Sequence, residues 1–301
     1  MAMEFDYDID SAVVTGATGG AGSWVADRLA DRGVHVTGVD LERPSDGREN
    51  LEFRTADLTE QGETWEIVHE ADPDAVVHFA AIPVPTNDPG TRVFENNTMS
   101  TYNVLVAAGR NDAEVVWTSS ESAYGTVFAE ETWLPDYLPV DEAHPLCPAD
   151  PYGASKVCGE EIAKTVARRY DVPVTSIRPS TINYPGRYYT PDQRAGYDGS
   201  DLSGNLWSYV DVRDVVSMVE AALAADYDGH EAFLCVADET YLDRPLAEAV
   251  EATAGRLPED CDLDGRRAGL SNAKARELLD WTPEHGWREA EDETVSGPSW
   301  L

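Results

Sequence analysis

The segment Thr15–Gly22 reads TGATGGAG and follows directly on the β-branched run Ser11–Thr15 (SAVVT). Gly16, Gly19 and Gly22 stand three residues apart, and Gly20–Asp31 beyond them reads as a helix. A strand that turns on glycines straight into a helix opens a βαβ unit. The first glycine permits the tight turn. The second lets the backbone approach a pyrophosphate, which the helix N-terminus stabilises, and the third allows close packing of helix on strand.

The rest of the chain agrees with such a unit. Val34–Val39, Leu51–Thr55, Ala75–Phe79, Glu114–Thr118 and Val172–Ile177 read as strands, with long helices over Arg92–Ala108 and Pro151–Tyr170. This alternation predicts an α/β fold, a Rossmann-type doubly wound parallel sheet. After Arg178 the pattern loosens. Tyr184–Gly204 reads as loop, Val210–Ala224 as helix, Ala232–Val236 as strand, and Pro245–Ala254 and Ser271–Leu279 as helices. The expected organisation is a dinucleotide-binding core over residues 1–180, including the Pro151–Tyr170 helix. Residues 181–301 then form a small C-terminal substrate lobe interleaved with the last sheet strands.

The second strand ends at Asp40, 24 residues after Gly16. A carboxylate there accepts hydrogen bonds from both adenosine ribose hydroxyls and repels a 2′-phosphate, which favours NAD over NADP. Arg43 and Arg48 nearby weaken that preference.

Charge narrows the partners. Asp and Glu number 57 against 22 Lys and Arg, a net −35, and only Lys156, Lys164 and Lys274 are lysines. Nucleic acid and anionic membrane both reward positive charge and are excluded as partners. The acids are spread along the chain, which fits an enzyme of a very salty cytoplasm, where salt screens the self-repulsion. They are expected on outer helix faces, away from the glycine turn. Cys147, Cys158, Cys235 and Cys261 form no C-x-x-C and complete no zinc site, so free thiols and no metal are expected. The start lacks a signal-peptide apolar region, and no stretch of about 18 apolar residues exists to span a membrane.

Tyr152 and Lys156 are i and i+4 in PYGASK and share a helix face. A phenol, with a pKa near 10, is a poor base at neutral pH. A lysine cation beside it is expected to lower that pKa, so that the phenolate takes a proton from an alcohol while a nicotinamide accepts hydride. His78, Trp65, Trp117 and Trp281 read as structural.

Together these residues resemble the extended short-chain dehydrogenase/reductase family, which includes NAD-dependent sugar epimerases and dehydratases. The resemblance runs along most of the chain. TGATGGAG is similar to the family's cofactor turn, Asp57-Leu58 to its adenine-contacting pair, and His78-Phe79-Ala80-Ala81 to its H-L-A-A element. Asn97–Leu105 resembles the N-x-x-G-T-x-N-x-L helix with Ser100 for glycine, and Thr118-Ser119-Ser120 with Tyr124-Gly125 resembles S-S-x-x-x-Y-G. Val140-Asp141-Glu142, Pro151–Lys156 and Ser271–Pro283 match further elements. The resemblance implies that Ser120, Tyr152, Lys156 and Asn97 are catalytic, Asn97 by holding a relay water. It implies NAD on Gly16, Thr18, Gly19, Gly22, Asp40, Asp57, Leu58, Phe79, Ala80, Ala81, Tyr152 and Lys156. Ser120, Glu121, Pro83, Thr181 and Arg187 would meet the substrate. A homodimer joined through the two long helices is also implied.

Three departures bear on the reaction. Ser120 is followed by Glu121-Ser122, where dehydratases carry Asp-Glu, so dehydration is not expected. Thr181 occupies the place of the asparagine that touches the diphosphate in nucleotide-sugar enzymes. The gap from Arg178 to Tyr209 is about 30 residues, roughly half that of those enzymes and too little to enclose a nucleotide. That shortness is similar to the uronate and aldose dehydrogenases, although the uronate enzymes carry Asn-His after the catalytic serines. The expected activity is NAD-dependent oxidation of a free pentose or hexose at C1 to its lactone. The alternatives are a nucleotide-sugar 4-epimerase and a sugar-phosphate or uronate dehydrogenase.

Overall fold

Seven valine-rich strands lie side by side in parallel: β1 (Ser11–Thr15), β2 (His35–Asp40), β3 (Leu51–Thr55), β4 (Ala75–His78), β5 (Glu114–Thr118), β7 (Val174–Pro179) and β10 (His230–Cys235). The computed structural model describes residues 5–44, 47–131, 133–188, 202–290, 292–298 and 300. The strand order is β10-β7-β5-β4-β1-β2-β3. Val13 and Val14 of β1 and Val76 and Val77 of β4 are fully buried, as strands covered on both faces require. The order reverses between β1 and β4, and a crevice opens beyond their carboxyl ends.

Helices cover both faces. α1 (Gly20–Asp31) buries Val25, Ala26, Leu29 and Ala30 against one face, together with α5 (Val212–Leu223). α2 (Gln61–Ala71), α3 (Gly90–Arg110) and α4 (Pro151–Tyr170) cover the other. A third apolar cluster joins Trp207, Leu234 and Leu270 to α6 (Leu246–Ala254). Short pairs complete the chain: β6 (Tyr137–Leu138) with β11 (Asp260–Cys261), and β8 (Ile182–Asn183) with β9 (Val210–Asp211). α7 (Ala273–Leu279) and α8 (Trp287–Ala290) follow.

The parallel α/β architecture agrees with the sequence expectation, with differences at element ends. α2 was absent from that expectation. Only Thr64 and Val68 of its eleven residues are buried, with Trp65, Ile67 and Ala71 half-buried beside them, a thin apolar stripe. Val210–Asp211 is strand, not helix, because Asp211 caps α5 by accepting the Arg213 N–H at 2.8 Å. β7 starts at Val174 and reaches Pro179, which carries Arg178 inside the sheet. Trp117 and Trp281 are fully buried, while Trp65 is only partly so. Among the described residues no helix is long and apolar enough to cross a membrane.

Trp117 of β5 packs the edge of its ring against Gly159 of α4, so a β-carbon at 159 would overlap it. Glycine there lets the helix that carries Tyr152 and Lys156 sit close to the sheet. Gly159→Ala should therefore cost about 1–3 kcal/mol through overpacking, read as a lowered urea midpoint.

Candidate active site

The crevice beyond β1 and β4 is a cavity of about 760 Å³. Gly16 turns the chain out of β1 with a φ of +69°. A β-carbon there would lie 2.7 Å from Ala80 N, and one at Gly22 would overlap Gly16 O. Only glycine fits both constraints. α1 has no side-chain cap, so its first-turn N–H groups remain available at the cavity wall. Asp40 closes the far side. Its Oδ2 accepts from Thr18 N at 3.1 Å and Thr18 Oγ1 at 2.7 Å, which ties the end of β2 to the glycine turn. Arg48 is engaged with Asp27 and Asp31, and Arg43 is exposed, so neither counters Asp40.

The catalytic end is built by β5, a short 3-10 turn (Glu121–Tyr124) and α4. Asp150 caps α4, accepting Tyr152 N–H and Gly153 N–H, each at 2.9 Å. The Ser120 hydroxyl lies within hydrogen-bonding reach of the Tyr152 phenol. Lys156 is 4% exposed, its Nζ donates to Thr118 O at 2.7 Å, and it sits 5.4 Å from the Tyr152 ring centre. Burial pushes the Tyr152 phenol up to about 12 and the Lys156 ammonium down to about 7. This corrects the expectation that Lys156 lowers the Tyr152 pKa. Loss of water dominates at both groups and disfavours the charged form of each.

Sixteen of the residues singled out by sequence line this one cavity: Gly16, Thr18, Gly19, Gly22, Asp40, Asp57, Leu58, Phe79, Ala80, Ala81, Pro83, Ser120, Glu121, Tyr152, Lys156 and Thr181. Two do not. The Asn97 amide clamps the backbone of Ile82, accepting its N–H at 2.8 Å and donating to its carbonyl at 3.0 Å, and is 1% exposed. These two bonds fix the loop after β4 against α3. Arg187 is exposed and lies off the cavity. Most of the loop expected to choose the sugar, residues 189–201, lies outside the described residues.

Asp40, Asp57 and Glu121 line the cavity, where the family resemblance also put them, so the acids are not confined to outer helix faces. Sequence reasoning also left out Tyr184, whose hydroxyl lies against Gly20 across the crevice. Spacing gave no signal for it, since counting from Arg178 it stands one place beyond the tyrosine position of the family's R-x-x-N-x-Y-G-P element, which Asn183 occupies.

A buried charged cluster supports this end. Arg178 of β7 donates Nε and Nη2 to the two oxygens of Glu160 on α4, each at 2.7 Å, and Nη1 to the Tyr124 hydroxyl at 2.8 Å. Ser119 Oγ donates to the same Glu160 at 2.7 Å. Burial alone would raise the Glu160 carboxyl, but Arg178 and Ser119 hold it below the usual range. His78 is structural, bonded to Thr15 Oγ1 at 2.6 Å and Thr101 Oγ1 at 3.2 Å. No group of three His, Cys, Asp or Glu that could hold a metal occurs among the described residues.

A glycine turn at the switch point and a Ser–Tyr–Lys set at the crevice floor describe a dinucleotide-dependent redox site. The model of the NAD dependent epimerase/dehydratase family matches residues 12–196, more than half of the chain. The chain belongs to this family. NAD is the family's cofactor. A UDP-glucose 4-epimerase of Mycolicibacterium smegmatis is 30% identical over 94% of the chain and 96% of its own length. A putative UDP-glucose 4-epimerase of Methanocaldococcus jannaschii is 32% identical over 61% of the chain, and the match spans only 59% of that protein. Among solved structures, a uronate dehydrogenase of Agrobacterium tumefaciens complexed with NAD aligns over 96% of the chain and 91% of its own. Its TM-score is 0.68 and its identity 21%, a likeness of fold.

Replacing Arg178 by methionine would leave the Glu160 carboxylate buried without its partner. Stability should fall by about 3–5 kcal/mol in urea denaturation, and the further change Glu160→Leu should recover much of it.

Proposed function

We propose that the protein oxidises a free, uncharged aldose, a pentose or hexose, at C1 to its lactone with NAD as hydride acceptor. One observation carries this reading. Among the described residues, the wall around Ser120 and Tyr152 offers no unengaged cation: it is formed by Glu121, Val127, Phe128, Ser180, Thr181 and Ile182. Lys156 is bonded to a carbonyl, and Arg92, at the other rim, is 70% exposed and paired with Asp88. A diphosphate or a carboxylate buried against that wall would lack a partner, at a cost of several kcal/mol. A sugar's hydroxyls meet donors and acceptors there. Thr181, in the place of a diphosphate-binding asparagine, is held by Asn205 Nδ2 at 3.0 Å. In this reading residues 181–301 serve as the substrate lobe.

In this reading the pyrophosphate lies on the α1 N-terminus with Gly16, Thr18, Gly19 and Gly22. Asp40 takes the adenosine ribose, and Asp57-Leu58 the adenine. NAD supplies the hydride acceptor and, oxidised, a positive charge close to Tyr152. Ser120 holds the C1 hydroxyl, and Tyr152 removes its proton. Lys156 fixes the nicotinamide ribose. Two copies pair through α3 and α4, where Met99 (45%) and Tyr102 (41%) are exposed on α3.

Nucleotide-sugar 4-epimerisation is the second reading, favoured by the epimerase relatives that match most of the chain. Mixing protein, NAD and a panel of neutral sugars, uronates and UDP-sugars while following NADH absorbance separates the two. Net NADH with a neutral sugar supports oxidation, and epimerisation without net NADH overturns it. Tyr152→Phe should lower kcat at least about 100-fold and leave NAD binding near wild type.

The net charge of −35 supports a cytoplasmic enzyme of an extreme halophile. Exposed like charges repel in dilute buffer, and about 1 M salt shortens their reach to roughly 3 Å. Activity and melting temperature should both rise between 0.1 and about 2 M KCl. Full activity in dilute buffer would overturn the halophilic reading and leave the catalytic one standing.

A further inference from the structure

Among the described residues Glu121 is the one carboxyl at the substrate wall, next in sequence to Ser120, and nothing in the hydride transfer uses it. It is 5% exposed and lines both the crevice and a small inner cavity. Ser180 Oγ donates to its Oε2 at 2.8 Å, and Thr181 also donates to the carboxyl. The charged and titratable groups around it give no counter-charge. Tyr124 of its own turn and Tyr152 of α4 are phenols made harder to ionise by burial. Arg178 of β7 is engaged with Glu160 and Tyr124, and Lys156 with Thr118 O. His144, across the inner cavity, accepts the Asp136 N–H on Nε2 at 3.3 Å and faces Pro145 O with Nδ1 at 3.1 Å.

An ionised carboxylate among phenols, hydroxyls and apolar side chains would be buried without a cation. Held as the neutral acid, it becomes a donor as well as an acceptor. We propose that Glu121 is a specificity residue which keeps its proton and donates a hydrogen bond to an oxygen of the bound sugar. This rests on the reading of the site as one for a neutral aldose and adds the group that recognises it. Such a donor rewards a substrate oxygen at that point strongly, because an analogue lacking it leaves buried polar groups unpaired.

The consequences depend on pH. Burial pushes the Glu121 carboxyl from 4.5 up to about 8. Between those values the folded protein holds a proton that the unfolded chain has released, so stability falls as pH rises through that window. Above about 8 the donor is lost and KM for the sugar rises, with kcat less affected.

The test combines protonation and binding. In infrared spectra at pH 7, wild-type protein should show a protonated-carboxyl C=O band that is missing from Glu121→Gln. Glu121→Gln should also lack both the loss of melting temperature and the rise in KM with pH. Glu121→Leu, which keeps the volume and removes the donor, should raise KM about tenfold. Absence of the band, or a Leu variant with the wild-type KM, overturns the proposal. If no neutral sugar reduces NAD, the recognition role falls together with the reading it rests on, and the infrared band alone then decides whether Glu121 holds its proton.

Discussion

The buried ion pair between Glu160 and Arg178 holds the catalytic end of this protein together. Each 2.7 Å contact joins α4 to β7, and the Ser119 and Tyr124 hydroxyls tie the end of β5 and the turn after it to the same two charges. Glu160 lies one helical turn beyond Lys156 and two beyond Tyr152, on the same face of α4. Ser120 and Tyr152 are thus placed relative to one another by one rigid charged unit that needs no loop. Such a pair contributes little net stability compared with an apolar substitute, but removing either member is costly, which makes its geometry hard to relax.

Dryness is the second constraint, and it acts on three groups at once. Burial moves Tyr152 and Glu121 up and Lys156 down, each towards its neutral form. Charge is therefore disfavoured at the floor of the site. Electrostatic interactions are strong in such a place. The same dryness disfavours a substrate that brings its own charge.

Much of this was legible in the sequence because it is carried by spacing. The glycine turn, Asp40, and the i,i+4 tyrosine and lysine each follow from a local rule, and they meet in one cavity. What escaped had no local signal. α2 is short and presents only a thin apolar stripe, and Asp211 ends a strand and caps a helix in the same residue. Asn97 stands on the face of α3 turned towards Ile82, a matter of helix rotation that its neighbours in sequence do not reveal.

Sequence alone determined that this chain builds a parallel α/β sheet of the NAD dependent epimerase/dehydratase family, with a Ser–Tyr–Lys set at its crevice. Period and spacing are properties of neighbouring residues and survive without coordinates. Only the tertiary structure decided which charges are free. Lys156 is tied to Thr118, Arg48 is drawn away by Asp27 and Asp31, Arg187 stands outside the cavity, and Glu121 is enclosed. A charge acts according to its distance from partners and from water, and both are set by residues remote in the chain.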